Sequence, residues 1–513
     1  MKEGVSEMMP SDSIISTLRH VVGERWVSTE RPDRSSYARD LWPKAQLARL
    51  AGQLDSFPDA IVWPGDVHEV SAVVRACAEA KVAIVPFGAG SGVCGGALPS
   101  PGSVVVDLKR LKAIRRVDPD AGVVEVEAGI VGERFERMLE RRGLTLGHFP
   151  SSILCSTVGG WVAGRSAGQC SSRYGKIEDM VVDLEVVTGD GEIRRTPHSG
   201  AEPDWNQLFI GSEGTLGIIT AATLRIHPQP EARAFHGWHL PTIEAALEVM
   251  RRCMQAGLRP AVLRMYDALD TKMVGSDPEA KASGHLGRLK ALATGSSPIG
   301  QWVLRRVLSM PRLTNAYIRT LKGPVLLVSV CEGSAEEAQA TDRALSKLAD
   351  EVGGVDLGEG PGRTWLAHRH DVSYKQSKLY AAGCFVDTFE VATTWSQVAP
   401  LYEAVRRAVA DEVMVMAHFS HVYPGGCSIY FSFVGTGRDV EGMAKRYDAT
   451  WHKALSTTQA MGATIAHHHG SGLQRLPFMD AEHGAGRQWF EALKATMDPH
   501  GILNPGKLFG ERQ

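Results

Sequence analysis

The chain has 513 residues, 43% hydrophobic and 22% charged, with a formal net charge of -2. That length points to two or three globular units, and the balanced composition excludes both a disordered chain and the electrostatic footprint of a nucleic-acid binder. No apolar run reaches roughly 18 residues and the start "MKEGVSEMMPSDSIISTLRH" lacks a signal-peptide pattern, so a cytoplasmic protein is expected.

The eight cysteines are scattered without a CxxC pair, which argues against a disulfide framework and a zinc knuckle. A helix is predicted over 66–80, followed by "VAIVPFGAGSGVCGG" (82–96), a short apolar strand running into a glycine-rich loop. "SVVVDL" (103–108) and "GVVEVEAG" (122–129) read as strands, "ERFERMLERRG" as a helix, and "MVVDLEVVTGDGEI" as a β-hairpin. Pro228 and Pro230 mark a boundary. Beyond it come an amphipathic helix at 242–258, "PAVLRMYD", a basic helical stretch near 300–322 and the strand "PVLLVSVCEG". Helices and strands then alternate through "PLYEAVRRAVADE" and "CSIYFSFVG", a pattern that favours an antiparallel sheet. The fold class is therefore α+β.

Three segments are dense in Gly and Ser: "PFGAGSGVCGG" (86–96), 148–181, and "GSEGTLGIIT" (211–220). Glycines let backbone amides approach an anionic group without Cβ obstruction. No Gly-Lys-Ser/Thr follows the first loop, which removes the Walker reading, and no clean GxGxxG opens a helix. Three such loops suit one extended ligand.

In this order the three segments resemble the FAD-binding (PCMH-type) domain of the vanillyl-alcohol oxidase / p-cresol methylhydroxylase superfamily, within the FAD-binding oxidoreductase/transferase type 4 family. The resemblance implies FAD contacts at Pro86, Phe87, Gly88, Ala89, Gly90, Ser91 and Gly92; at Pro150, Ser151, Ser152 and Ser156; at Ala163, Gly164, Arg165 and Ser166; and at Glu213, Gly214, Thr215, Leu216, Gly217, Ile218 and Ile219. The first loop holds no histidine and Cys94 reads equally as a packed small residue, so the FAD is expected to be non-covalent.

Further along, "PAVLRMYD", "DTFEVATTW", "HFSHVYPGGCSIYFSF", "HHHG" and "DPHGILNPGKLF" resemble the alkylglycerone-phosphate synthase family. That resemblance implies exchange of the acyl group of an acyl dihydroxyacetone phosphate for a long-chain alcohol, a redox-neutral use of FAD in ether lipid synthesis. It places Tyr423 as the base, its pKa lowered by neighbouring cations, His467, His468 and His469 as an active-site wall, and Arg264 as an activity-determining arginine. Read from the residues alone, Tyr423 also fits a packed strand-end tyrosine, the histidines a solvated cluster and Arg264 a structural ion pair.

Consecutive side chains in an extended segment alternate faces, so at most His467 and His469 could share one ion; no metal site is expected. Where relatives carry a phosphate-gripping arginine this chain has Gln376, with Lys375 as a substitute point charge. That departure keeps a second reading open, an FAD-dependent dehydrogenase or oxidase of an alcohol or 2-hydroxy acid that passes hydride to the flavin. The expected organisation is an FAD domain over 20–232, a substrate cap over 233–463, and a segment over 464–513 returning to the FAD domain with the triple histidine. Expected partners are a small-molecule or lipid substrate and no nucleic acid. A homodimer and a peripheral membrane contact, the latter through 301–323, stay open.

Overall fold

The computed structural model describes residues 12–53, 56–198, 203–274, 298–320, 323–371 and 377–510, so Lys375 and Gln376 lie outside the described residues. A four-stranded sheet comes first, with Ala60–Val62, Val104–Asp107 and Ile84–Phe87 parallel and Val27–Ser28 antiparallel at one edge. The connecting helix Val67–Ala80 starts where Asp66 accepts from the amides of His68 and Glu69, and its buried Val70, Val73, Val74 and Cys77 seal the sheet.

A five-stranded antiparallel sheet follows, in the order Ile114–Asp118, Val123–Glu127, Ile218–Arg225, Val181–Val187, Ile193–Arg195. Its last pair is the hairpin read from "VVTGDGEI".

The second half is built on a seven-stranded antiparallel sheet. Its strands are β1 (Ala232–Leu240), β2 (Val262–Tyr266), β3 (Val325–Gly333), β4 (Val355–Asp356), β5 (Cys384–Thr394), β6 (Met414–Val422) and β7 (Gly426–Thr436), in the spatial order β4-β1-β3-β2-β6-β7-β5. Four helices, Ile243–Gln255, Ala335–Glu351, Trp395–Val409 and Val440–Ala460, cover one face. The period of two sends Leu263, Met265, Ala417, Phe419, Ile429, Phe431 and Phe389 into that helical layer. Their neighbours Arg264, Tyr266, His418, Ser420, Tyr430, Ser432 and Thr388 are left facing the first half of the chain.

The last residues run back to the first sheet. Leu503 bridges Ile84 in parallel, and the Asn504 amide side chain donates to the carbonyls of Gly96 (3.0 Å) and Glu213 (2.7 Å). Lys507 reaches the Leu98 carbonyl at 3.0 Å. Asn504 and Lys507 thus bond to backbone of the glycine-loop region.

Candidate active site

Between the glycine loops and the open face of the seven-stranded sheet lies a cavity of about 1980 Å³. On the loop side it is lined by residues 86–92, Pro150, Ser151, Ser152, Ser156, Ala163, Gly164, Ser166, Glu213, Gly214, Gly217, Ile218 and Ile219. Arg165, Thr215 and Leu216 do not line it. Arg165 pairs with Glu178 at 3.2 Å, the Thr215 hydroxyl bonds the Ser212 carbonyl and Leu216 is in the core.

The first loop fits the pyrophosphate of FAD. The amides of Ala89, Gly90, Ser91 and Gly92 find no protein acceptor among the described residues, and all four residues line the cavity. Gly90 sits at φ 63, and a Cβ on Gly88 would come within 2.3 Å of Thr157 Oγ1, so neither position accepts a side chain without strain. A run of free amides in such a turn is an anion cradle.

On the opposite wall four residues stand in register across four strands. Tyr266 pairs with His418, His418 with Tyr430, and Tyr430 with Glu390. The His418 ring stacks on Tyr430 at 4.5 Å, and Arg264 Nη2 bonds His418 Nε2. Because the guanidinium can only donate, His418 accepts there as a neutral imidazole. Burial, with Arg264 adding to it, holds His418 well below its usual pKa. Burial also pushes the Tyr430 phenol up to about 12, against the Thr388 hydrogen bond.

The triple histidine is shaped by Glu390. Its Oε1 accepts the backbone amides of His467 (3.1 Å), His468 (3.0 Å) and His469 (2.9 Å), while Oε2 lies 2.7 Å from His469 Nδ1 and 2.9 Å from Arg475 Nη2. Burial alone would raise this carboxyl; Arg475 and then His469 overcome it and hold it well below the carboxylate range. Arg475, fully enclosed, also donates to the carbonyls of Ile465 and Gly470 and to Cys94 Sγ at 2.9 Å. Glu213, from the third glycine loop, accepts the amides of Ser471 and Gly472. The histidine segment is therefore fixed by one carboxylate from each half of the chain. His468 and His469 line the cavity, whereas His467 lies behind them, its Nδ1 2.9 Å from His468 Nδ1.

Arg264 is in the wall. Tyr423 is not: its hydroxyl points to Ser171 Oγ at 3.5 Å, and burial raises its phenol where neighbouring cations were expected to lower it. Tyr430, seven residues later, occupies the wall instead. Its signal was legible in "CSIYFSF", where Ser428, Tyr430 and Ser432 share one face and Ile429, Phe431 and Phe433 the other. His418, His421, Glu390 and Arg475 were also missed. His421 lines the cavity at φ 55, beside a bulge between Ser420 and Val422, with Nδ1 2.8 Å from Ser171 Oγ.

A glycine-loop cradle facing a histidine-, tyrosine- and arginine-bearing antiparallel cap defines an FAD-dependent enzyme with its reaction chamber between two parts of the chain. Residues 58–197 match the FAD binding domain model, and residues 229–508 match the model of the FAD linked oxidases, C-terminal domain; the chain belongs to this family of FAD-linked enzymes. It is 30% identical over 490 residues to an alkyldihydroxyacetonephosphate synthase of Trypanosoma brucei brucei, covering 92% of this chain and 75% of that one. It is 27% identical over 465 residues to the glycolate oxidase subunit GlcD of Bacillus subtilis (strain 168), covering 90% of each. Among solved structures, an alkyldihydroxyacetonephosphate synthase superposes with a TM-score of 0.78 at 24% identity, over 98% of this chain and 86% of that one. p-Cresol methylhydroxylase superposes at 0.74 and 18% identity, over 97% and 96%. The fold is thus the PCMH-type FAD-binding fold with an α+β cap, as the loops implied.

Proposed function

We propose that the protein exchanges the acyl group of an acyl dihydroxyacetone phosphate for a long-chain alcohol, releasing a fatty acid and forming an ether bond. The observation that carries this reading is the size of the chamber. At about 1980 Å³ it is twice the roughly 1,000 Å³ upper end of ordinary ligand pockets, room for FAD together with a long substrate. Its cap wall adds the apolar surfaces of Val262, Leu326, Val328 and Trp365 to the Arg264 cation. In this reading residues 20–232 hold the cofactor, 233–463 form the cap, and 464–513 carry the histidine wall back to the flavin.

FAD, when bound, supplies an electron-accepting ring. The chain's residues supply positioning and proton transfer. Deprotonation beside a ketone requires a neutral base, and burial, with His469 adding to it, holds His468 well below its usual pKa and so unprotonated near neutrality. Tyr430 keeps its proton and offers it as a hydrogen bond, and Arg264 holds the substrate's anionic group. On the side of the cap, helices Pro298–Leu308 and Pro311–Thr320 expose Trp302, Leu313 and Tyr317 beside Arg306 and Arg319; we assign this face to an anionic membrane surface reached from the cytoplasmic side.

A second reading, oxidation of a 2-hydroxy acid, is favoured by the likeness to a glycolate oxidase subunit. Anaerobic addition of palmitoyl dihydroxyacetone phosphate separates the two. The synthase reading expects flavin bleaching with fatty acid release and colour recovered on adding hexadecanol, with no electron acceptor. Bleaching by glycolate or D-lactate alone, reversed only by an electron acceptor, would replace it with the oxidoreductase reading.

A further inference from the structure

His421 stands in a backbone conformation that a histidine rarely adopts. Its φ is 55, at the bulge between Ser420 and Val422 where the pairing of β6 with β7 shifts register. A residue with a Cβ is strained there, and such strain persists where the surrounding structure enforces it, most often at functional sites. The bulge brings the side chain to the chamber wall beside His468, whose ring centroid is 4.7 Å away.

The two ring nitrogens have different surroundings. Nδ1 lies 2.8 Å from the Oγ of Ser171, a buried residue on the short helix Ser171–Tyr174 of the second glycine-rich segment. Nε2 makes no hydrogen bond among the described residues and is not sealed off as His467 Nε2 is. Since the ring lines the chamber, Nε2 is the nitrogen open to a substrate.

Burial first, and then His468 and Arg264, hold His421 well below its usual pKa, so it is unprotonated near neutrality and free to accept a proton. Once Nε2 has taken one, both nitrogens carry hydrogen, and the Ser171 oxygen is the acceptor that Nδ1 then requires. The Glu390 carboxylate favours the same charged form. Ser171 therefore positions the ring and supports it in the protonated state.

The exchange under Proposed function moves two protons. While His468 holds the one taken from the carbon beside the ketone, the incoming alcohol must give up another, and that needs a second acceptor. We infer that His421 is this acceptor, the base that removes the proton of a substrate hydroxyl in the chamber. The acyl group leaves as a carboxylate with the electron pair of its C–O bond, the alcohol oxygen bonds to the same carbon, and the alcohol's proton passes to His421 Nε2 and then to solvent. That the hydroxyl is a long-chain alcohol's rests on the synthase reading. In oxidation of a 2-hydroxy acid the same nitrogen takes the hydroxyl proton while FAD takes the hydride.

The test uses FAD-loaded, full-length enzyme under anaerobic conditions and follows flavin absorbance, first on adding palmitoyl dihydroxyacetone phosphate and then on adding hexadecanol. His421→Asn is the first variant, because asparagine tolerates a positive φ and keeps an amide to face Ser171 but offers no base. It is expected to keep its FAD, to bleach and release fatty acid within about threefold of wild type, and to recover colour at least about 100-fold more slowly, so that kcat falls by that factor. His421→Gly relieves the strained φ, so its melting temperature should not fall, and added imidazole should speed its colour recovery at least about tenfold. Colour recovery within about threefold of wild type in both variants would overturn the assignment. Equal loss of bleaching and recovery would overturn it too, by making His421 a residue of the first step. A wild type inert toward the acyl phosphate but bleached by D-lactate discards the synthase reading alone. The base then stands if His421→Asn slows that bleaching at least about 100-fold, and falls if the rate is unchanged.

Discussion

Arg475 and Glu390 form a salt bridge of 2.9 Å in which neither side chain is exposed to solvent, directly beneath the three amides of His467, His468 and His469. The pair is 85 residues apart in sequence and holds the histidine wall to β5. Removing one member leaves a buried charge uncompensated, whereas replacing both with apolar groups is often tolerated. Glu390→Gln is expected to destabilise the protein by about 3–5 kcal/mol in chemical denaturation. The double variant Glu390→Leu/Arg475→Met should recover most of that loss and yet stay inactive, because the three amides have lost their acceptor. Full activity in the double variant would show that the wall does not depend on the Glu390–Arg475 pair.

The two tyrosines of the β6–β7 hairpin separate cleanly. Tyr430 lines the chamber against His418, while Tyr423 points to Ser171 behind it. Tyr430→Phe should retain FAD and lower kcat by about 100-fold or more, the scale of a lost hydrogen-bond donor to the transition state. Tyr423→Phe should change kcat by less than about threefold, since it forfeits one long hydrogen bond. The reverse pattern, measured in steady state on the acyl phosphate, would restore Tyr423 as the base.

Glu136 supplies a pH-dependent term outside the chamber lining. It is buried, accepts from the Thr145 hydroxyl and the Leu146 amide, and burial pushes its carboxyl up to about 7. A carboxyl raised in the folded state stabilises fully below its unfolded pKa of about 4.3, and that stability is lost as pH rises through the folded value. The melting temperature of wild type relative to Glu136→Gln should therefore fall between about pH 4.3 and 7 and level off above. A difference that is flat across this window would mean that Glu136 is ionised throughout.

The glycine loops were legible because tight anion-cradling turns demand glycine locally, and Gly88 and Gly90 stand where a side chain would clash or strain. The cap sheet was legible from alternation in "CSIYFSF". The choice of tyrosine was not, because a bulge between Ser420 and Val422 breaks the count of two that begins at His418 and Ser420, so parity does not carry through to Tyr423. Nor was the Glu390–Arg475 pair, since nothing local marks a carboxylate that caps amides from a segment so distant in the chain. For residues 301–323 the sequence left a membrane contact open, and only the packing separates the faces. Leu308 and Ile318 turn inward, while Trp302, at 67% exposed, and Tyr317, at 60%, turn out.

That outward face yields the last prediction. Residues 298–320 contain Arg305, Arg306, Arg312 and Arg319 and no acidic residue, against a formal charge of -2 for the whole chain. Arg312 pairs with Asp411 and Arg305 lies against Gly383, leaving Arg306 and Arg319 beside the exposed Trp302, Leu313 and Tyr317. Leu304 and Leu308 share a buried cluster with Leu379 and Ala382, and Tyr380, adjacent to Leu379, lines the chamber, so this surface adjoins the site. Apolar anchors supply burial and each arginine about 1 kcal/mol near an anionic leaflet. The protein should therefore sediment with phosphatidylserine-containing vesicles and not with pure phosphatidylcholine vesicles, and the Trp302 fluorescence should shift to the blue on binding. Trp302→Ser/Leu313→Ser should abolish sedimentation while leaving turnover of detergent-dispersed substrate within about twofold, because neither residue touches the chamber. A wild type that ignores both vesicles but dimerises through Trp302 in analytical ultracentrifugation would assign this face to a second copy of the chain instead.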